Sequence, residues 1–237
     1  MYDGVYKIDF ELRFGPDAFK LCNYNTIKNE ERGGSRALYY NVECAEYLTN
    51  QIKNLEIFGD DFLGVNCVFR LNKFVPGDSI FKQHYDSPYF DKSENVYSKY
   101  TMLLYLSDCI NDLGVLTIEE LVISNIKHNT CIIFDQKYIH EGRPSINSEK
   151  IFIRTELLFK YDPLKDVHIN SDMAIIFNSA CYLSIYKTIY NSQLLSKYCD
   201  KYFTQYNKYK RNIHVDKNNI IFLEKTINSE YNFLTNG

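Results

Sequence analysis

The sequence predicts a mainly β fold with flanking helices, and three observations carry that expectation. Between about residues 60 and 162, some six short apolar or alternating runs are separated by turn residues, the pattern of an all-β sandwich or barrel. Before them, Val42, Tyr47, Leu48, Ile52 and Leu55 recur at helical spacing. After them, past Asp162-Pro163, the pattern turns helical from about Ser171 to Arg211. The expected organisation is a β domain over 1–162 with an N-terminal helical layer, and a mostly helical extension over 163–237 packed on it.

Taken in order, residues 1–35 alternate weakly and end in NEERGGSR, a charged loop whose Arg32 and Arg36 read as a solvated face. An amphipathic helix follows over 42–55, and GDD at 59–61 closes it. GVNCVFRLNKF, 64–74, reads as a strand, and PGD at 76–78 as a turn. FKQHYD comes next, then the polar, aromatic loop SPYFDKSENVYSKY. TMLLYLSD, 101–108, is apolar nearly throughout, which marks a strand buried on both faces. NDLG at 111–114 is a turn. VLTIEELVI, TCIIFD (130–135) and KIFIRTELLFKYD (150–162) are further strands. Asp172 suits the N-cap of the C-terminal helix, which breaks near Asn191-Ser192. The last 25 residues read as irregular or short-stranded.

Composition narrows the function classes. A formal charge of −3 over 237 residues points to neither nucleic acid nor membrane. The 21 Tyr and 16 Phe accompany a Tyr, Asn, Lys and Ile bias that an AT-rich coding sequence produces, so they carry no functional weight. Seven widely spaced cysteines, an odd number with no CxxC, imply reduced thiols in a cytoplasmic setting rather than a disulfide framework or a zinc ribbon. The N-terminus has no basic segment followed by an apolar run. The most apolar stretch, 173–190, is interrupted by Asn178, Ser179, Ser184 and Lys187 and makes a poor membrane span. His128, His168 and His214 lack partners at ligand spacing, and no phosphate loop, G-x-S-x-G or HExxH occurs.

One constellation carries chemistry. His84 and Asp86 stand at i and i+2, so in a strand both face one point while Tyr85 faces away. His140 follows Asp86 by 54 positions, ample for a second strand to bring it alongside. Two imidazoles and one carboxylate on one face of a metal, with the other face open, is the donor set of non-haem Fe(II) oxygenases. HxD by itself is a weak signal, and a lone pair of this kind is more often a surface hydrogen bond.

The surrounding segments add to it. PGDSIFKQHYDS, TMLLYLSD, LGVLTIEE and CIIFDQKYIHEGRPSINSEKIFIRTELLF stand in the order of the prolyl-4-hydroxylase-like 2-oxoglutarate/Fe(II) dioxygenases, with Pro144 four residues after His140 and Lys150 ten after it. The chain resembles that family over roughly 64–162. The resemblance implies a double-stranded β-helix, or jelly roll, as the core. It implies iron at His84, Asp86 and His140, with 2-oxoglutarate and O2 as co-substrates and ascorbate in support. It implies that Lys150 meets the distal carboxylate of 2-oxoglutarate, since a buried anion needs a cation. Arg154 shares a strand face with Lys150 and is the competing anchor; otherwise it binds substrate or a neighbouring acid such as Glu156. Tyr105 falls where some relatives hydrogen-bond the same carboxylate, and reads equally as a core tyrosine. Thr101 and Leu103 share its strand face and are expected to line the pocket; Arg143 guards the entrance or is solvated. Three departures bear on pocket shape and prolyl-peptide specificity. Phe74 stands where many relatives have tyrosine, the Gly77-to-His84 interval is one residue longer than usual, and Leu113 and Glu119 alter the glycine-rich strand.

The resemblance implies hydroxylation of an unactivated C–H bond, with a prolyl residue of a peptide or protein as substrate. Two alternatives stay open at this point. SKYCDKYFTQYNKYKR, 196–211, interleaves basic and aromatic residues and could serve a nucleic-acid-directed dioxygenase, although an amphipathic helix accounts for it better. A β-helix without catalysis would be a binding module.

Overall fold

The computed structural model describes residues 3–10, 25–26, 33–86, 88–91, 94–110, 112, 115–162 and 164. The expected helical extension, with Asp172, His168, His214 and the basic stretch 196–211, lies outside the described residues, as do Arg32 and Leu113. The chain forms two compact units, one of Met1–Asp86 with Ser98–Lys160, the other of Ser87–Tyr97 with Tyr161–Gly237.

In the first unit the described strands form two antiparallel sheets. The large one runs β1 (Val5–Asp9), β11 (Thr130–Asp135), β8 (Val96–Tyr105), β13 (Lys150–Lys160), β5 (Val68–Phe74), β3 (Ser35–Tyr40) and β2 (Asn25–Thr26), with β4 (Phe62–Val65) alongside β13. The small one runs β10 (Leu121–Ile123), β9 (Leu116–Ile118), β12 (His140–Gly142) and β6 (Phe81–His84). Apart from the consecutive pairs β2–β3 and β9–β10, neighbours along both sheets are distant in sequence, which is the crossing connectivity of a jelly roll rather than of a meander. Phe74, Leu103, Tyr105, Ile118, Ile132, Phe134 and Phe152 form one buried cluster, with Phe81 and Tyr138 packed against it.

Helix α1 (Val42–Lys53) begins where Asn41 Oδ1 accepts the Cys44 N–H at 2.8 Å. Its buried side is Cys44, Ala45, Leu48 and Ile52. Val42 and Leu55, read from the sequence as part of that side, are exposed: Val42 is the first residue of the helix, and Leu55 lies past its last, Lys53. Thr49 Oγ1 bonds back to Ala45 O at 2.7 Å and accepts the Val65 N–H at 2.8 Å, which ties the helix to β4. Gly64 permits that approach: a Cβ there would lie 3.0 Å from Thr49 Oγ1. Arg36, expected in water, is half-buried and donates from Nε to Asn72 Oδ1 at 3.1 Å.

Two continuous runs break. GVNCVFRLNKF becomes β4 and β5, because Asn66 turns its amide inward to Glu156 Oε2 and its Oδ1 accepts the Val68 N–H. VLTIEELVI becomes a tight hairpin. Glu119 takes a φ of 50° at its turn, held there because its N–H donates to Ile139 O at 2.9 Å and its Oε1 accepts the Ile139 N–H at 3.0 Å. The departure at Glu119 therefore grips the residue before His140. Residues 101–105 of β8 are all buried, as their unbroken apolar run predicts.

In the second unit Phe90 pairs with Tyr97 and Asp91 with Val96, so β7 (Phe90–Asp91) closes a short hairpin. Tyr161 packs on it, its ring 4.8 Å from Phe90 and its N–H donating to Asn95 O at 2.7 Å. Among the described residues no helix is long and apolar enough to cross a membrane. Among them Cys44, Cys67, Cys109 and Cys131 are free thiols.

Candidate metal centre

β6 ends at His84, and β12 begins at His140. The two residues are direct partners in the β6–β12 ladder, with ring centroids 4.2 Å apart. Phe81 stacks on His84 at 3.7 Å, and Phe134 tilts against His140 at 4.7 Å. His84 Nδ1 lies 2.7 Å from Lys82 O, and His140 Nδ1 lies 3.3 Å from Tyr138 O. A carbonyl can only accept, so both Nδ1 atoms carry the proton and both Nε2 atoms present a lone pair. Burial, then the neighbouring His140, lowers the His84 imidazole to about 4. Burial likewise lowers His140. Both rings are therefore neutral at pH 7, as metal ligation requires.

Asp86 lies two residues past His84, beyond the end of β6, with Tyr85 between them turned outward and 62 % exposed. Its carboxylate reaches the large sheet. Oδ1 meets Arg154 Nη2 at 2.7 Å, and Oδ2 accepts from Thr101 Oγ1 at 2.5 Å and from Arg154 Nε at 3.2 Å. His140 Nε2 stands 3.6 Å from Oδ2. Burial by itself would raise the Asp86 carboxyl; Arg154, then His140 and the Thr101 hydrogen bond, hold it well below the usual carboxylate range. The ligand atoms of His84, Asp86 and His140 all lie within 4.8 Å of one another, a separation one ion can bridge. Two neutral imidazoles and an ionised carboxylate match the donor set of Fe(II).

Lys150 is 1 % exposed. Its Nζ donates to Val115 O at 2.6 Å and to Arg143 O at 2.8 Å, which uses two of its three hydrogens. Among the described residues it forms no ion pair. It lies 5.3–6.0 Å from the ring centroids of Phe74, Tyr105 and Phe152. Burial lowers its pKa to about 8. Tyr105 beside it is fully buried, and its hydroxyl has no hydrogen-bond partner among the described residues. A buried cation with no ion pair and a buried hydroxyl with no partner, both among the described residues, are chemically suited to a carboxylate.

The remaining expected site residues divide. Arg154 pairs with Asp86 and, through Nη1, with Glu156 Oε1 at 3.1 Å. Thr101 donates to the Asp86 carboxylate, and Leu103 belongs to the buried cluster. Arg143 turns its side chain to Glu141 at 2.8 Å, while its carbonyl holds Lys150. Phe74 stacks 6.2 Å from Phe152, so an apolar ring lies where a tyrosine would have offered a hydroxyl. Sequence reading overlooks Gln136 and Arg70, which act across strands and leave no local pattern; Glu156, expected as an alternative partner of Arg154, does pair with it.

No family model matches the chain, and no curated protein matches it in sequence. Solved structures do. The chain is similar in structure to prolyl 4-hydroxylases and other 2-oxoglutarate/Fe(II) oxygenases. A viral collagen prolyl hydroxylase from Paramecium bursaria Chlorella virus-1, in complex with 2-oxoglutarate, is 18% identical, with a TM-score of 0.41 over 54% of this chain and 80% of that one. A Pseudomonas putida prolyl-4-hydroxylase is 15% identical, with 0.44 over 67% and 93%. A 2OG-Fe(II) oxygenase family oxidoreductase from Burkholderia pseudomallei is 10% identical, with 0.48 over 67% and 86%. At this distance the similarity assigns no residue and no substrate.

Proposed function

We propose that the protein is an Fe(II)- and 2-oxoglutarate-dependent hydroxylase acting on a prolyl residue of a peptide or protein. The observation that carries the reaction class is the pairing of two features in one unit: the His84–Asp86–His140 cluster, and a buried Lys150 that forms no ion pair among the described residues, beside the Tyr105 hydroxyl that has no hydrogen-bond partner among them. A metal site alone would fit many chemistries. A second site suited to a carboxylate would fit a keto diacid, whose far carboxylate Lys150 and Tyr105 would hold. The prolyl substrate rests on the resemblance alone.

Each group of the chain has a part in this reading. His84 and His140 hold the metal through Nε2, with Lys82 O and Tyr138 O fixing their ring planes. Asp86 supplies the one anionic ligand. Lys150 and Tyr105 bind the far carboxylate of the co-substrate and set its length against the metal. Phe74 and Phe152 exclude water from that end, so the ion pair formed there is strong. Fe(II) with 2-oxoglutarate, when bound, supplies the oxidation: O2 is consumed, the keto acid leaves as succinate and CO2, and a hydroxyl is delivered to a substrate C–H bond.

The test is succinate formation with Fe(II) and ascorbate in wild type, His140→Ala and Lys150→Ala, with and without a proline-rich peptide. Turnover should vanish in His140→Ala, need far more 2-oxoglutarate in Lys150→Ala, and rise with peptide. A wild type that binds no iron and forms no succinate under any condition overturns the reading and leaves a binding module.

A further inference from the structure

Asp86 is the one member of the cluster whose position the sheet does not set. His84 and His140 are opposed in the β6–β12 ladder, but β6 ends at His84 and Asp86 follows outside it. Its side chain is nevertheless held from two sides, by two strands of the large sheet.

From β13, Arg154 meets it with the Nε–Nη2 edge of the guanidinium, one nitrogen on each carboxylate oxygen, at 3.2 and 2.7 Å. That side-on geometry fixes the carboxylate plane as well as its place, which a lysine ammonium cannot do. Arg154 is itself bracketed. Its third nitrogen, Nη1, lies 3.1 Å from Glu156 Oε1, and the same oxygen takes Arg70 Nη1 at 2.6 Å. Arg154 and Arg70 are direct partners across β13 and β5, an unfavourable juxtaposition that the shared, fully buried Glu156 offsets.

From β8, Thr101 donates to Asp86 Oδ2. Its direction is also set. Gln136 Nε2 donates to Thr101 Oγ1 at 3.2 Å, so the hydroxyl accepts there and directs its own proton to Asp86. Ser98 Oγ donates to Gln136 Oε1 at 2.8 Å, which determines which end of the amide faces Thr101.

The geometry points to Arg154 as a positioning residue of the metal centre, working with Thr101 to hold Asp86 in one orientation as a single-oxygen ligand. It is not the anchor of the co-substrate. Four of the carboxylate's lone-pair sites exist, and three are taken by Arg154 and Thr101. Chelation of a metal through both oxygens would break the fork. The inference rests on the cluster being a metal site, as read above.

The test is direct metal binding to the full-length protein, without turnover. Co(II) and Fe(II) affinities are measured by calorimetry, and the Co(II) ligand-field spectrum is recorded. The proteins are wild type, Arg154→Lys, Arg154→Gln, Thr101→Val and Thr101→Ser. Loss of an orienting partner should weaken metal binding by about 10- to 100-fold and alter the Co(II) spectrum. Arg154→Lys should fall as far as Arg154→Gln, because charge without the fork does not orient; Thr101→Ser should restore what Thr101→Val loses. If the Arg154 variants do not fold, the Thr101 pair decides. Unchanged or tighter metal binding with an unchanged spectrum overturns the positioning role, and weakened calorimetric binding of 2-oxoglutarate with metal binding unchanged assigns Arg154 to the co-substrate instead. A wild type that binds neither metal overturns the reading of the cluster itself, a result distinct from both.

Discussion

His84 and His140 face each other across the β6–β12 ladder, and each gives its Nδ1 proton to the carbonyl two residues before it. The shared pattern makes one face of the pair a set of lone pairs. It also makes the two rings interdependent, since each packs against the other at 4.2 Å.

Removal of either imidazole should therefore cost more than one ligand. His84→Ala and His140→Ala should each lower Co(II) affinity by more than about 100-fold, past the range expected of an outer-shell partner. Calorimetric titration checks this. Retained affinity in either variant would place the metal elsewhere.

Lys150 makes a pH prediction with a definite sign. Its folded pKa is about 8, below the ordinary 10.5. Below about 8 the side chain is charged in folded and unfolded chains alike, and folding bears the whole cost of burying that charge. Between these values the unfolded chain keeps a proton that the folded one has released. Stability of the ligand-free protein should rise through that window and reach its full gain above it. Affinity for 2-oxoglutarate should fall over the same rise in pH, as the receptor loses its charge. Urea denaturation and co-substrate titration from about pH 7 to 10 measure both. Lys150→Met should remove both slopes; slopes unchanged in that variant would assign them to other groups.

Tyr105→Phe should separate binding from stability. The hydroxyl is buried without a partner among the described residues, so its removal should leave the ligand-free protein equally stable, or more stable by about 1 kcal/mol. Binding of 2-oxoglutarate should weaken by up to about tenfold, the worth of one hydrogen bond. Thermal unfolding with and without the co-substrate shows both effects. A destabilised ligand-free variant would mean the hydroxyl is already satisfied.

Glu156→Ala should be among the most damaging single changes. Glu156 is fully buried and holds Arg70 and Arg154, which are opposed across β5 and β13. Its loss leaves two cations facing each other out of water, at a cost of about 3–5 kcal/mol. Urea denaturation measures it, and a loss under about 1 kcal/mol would show that the arginines escape to solvent.

Much of the fold is legible because burial on both faces of a strand appears as an unbroken apolar run, as in residues 101–105. The hairpin at Glu119 is not, since glutamate is no turn former and takes its positive φ only because Ile139 bonds it twice. The break at Asn66 is hidden in the same way, behind a contact with Glu156. Ligand types and their chain order are visible at His84, Asp86 and His140. Which cation serves which anion is not: Lys150 and Arg154 share one strand face, and their local sequence does not tell them apart.

The sequence by itself determined the strand-rich class, the identity of three metal-competent side chains and the presence of two cations near them. Only the tertiary structure decided that Arg154 answers to Asp86 and Glu156 while Lys150 forms no ion pair among the described residues. The reason is geometric. Periodicity along one chain reports which way a side chain points, whereas pairing depends on which strand is laid beside it. Here Asp86 reaches Arg154 over 68 positions and Thr101 over 15.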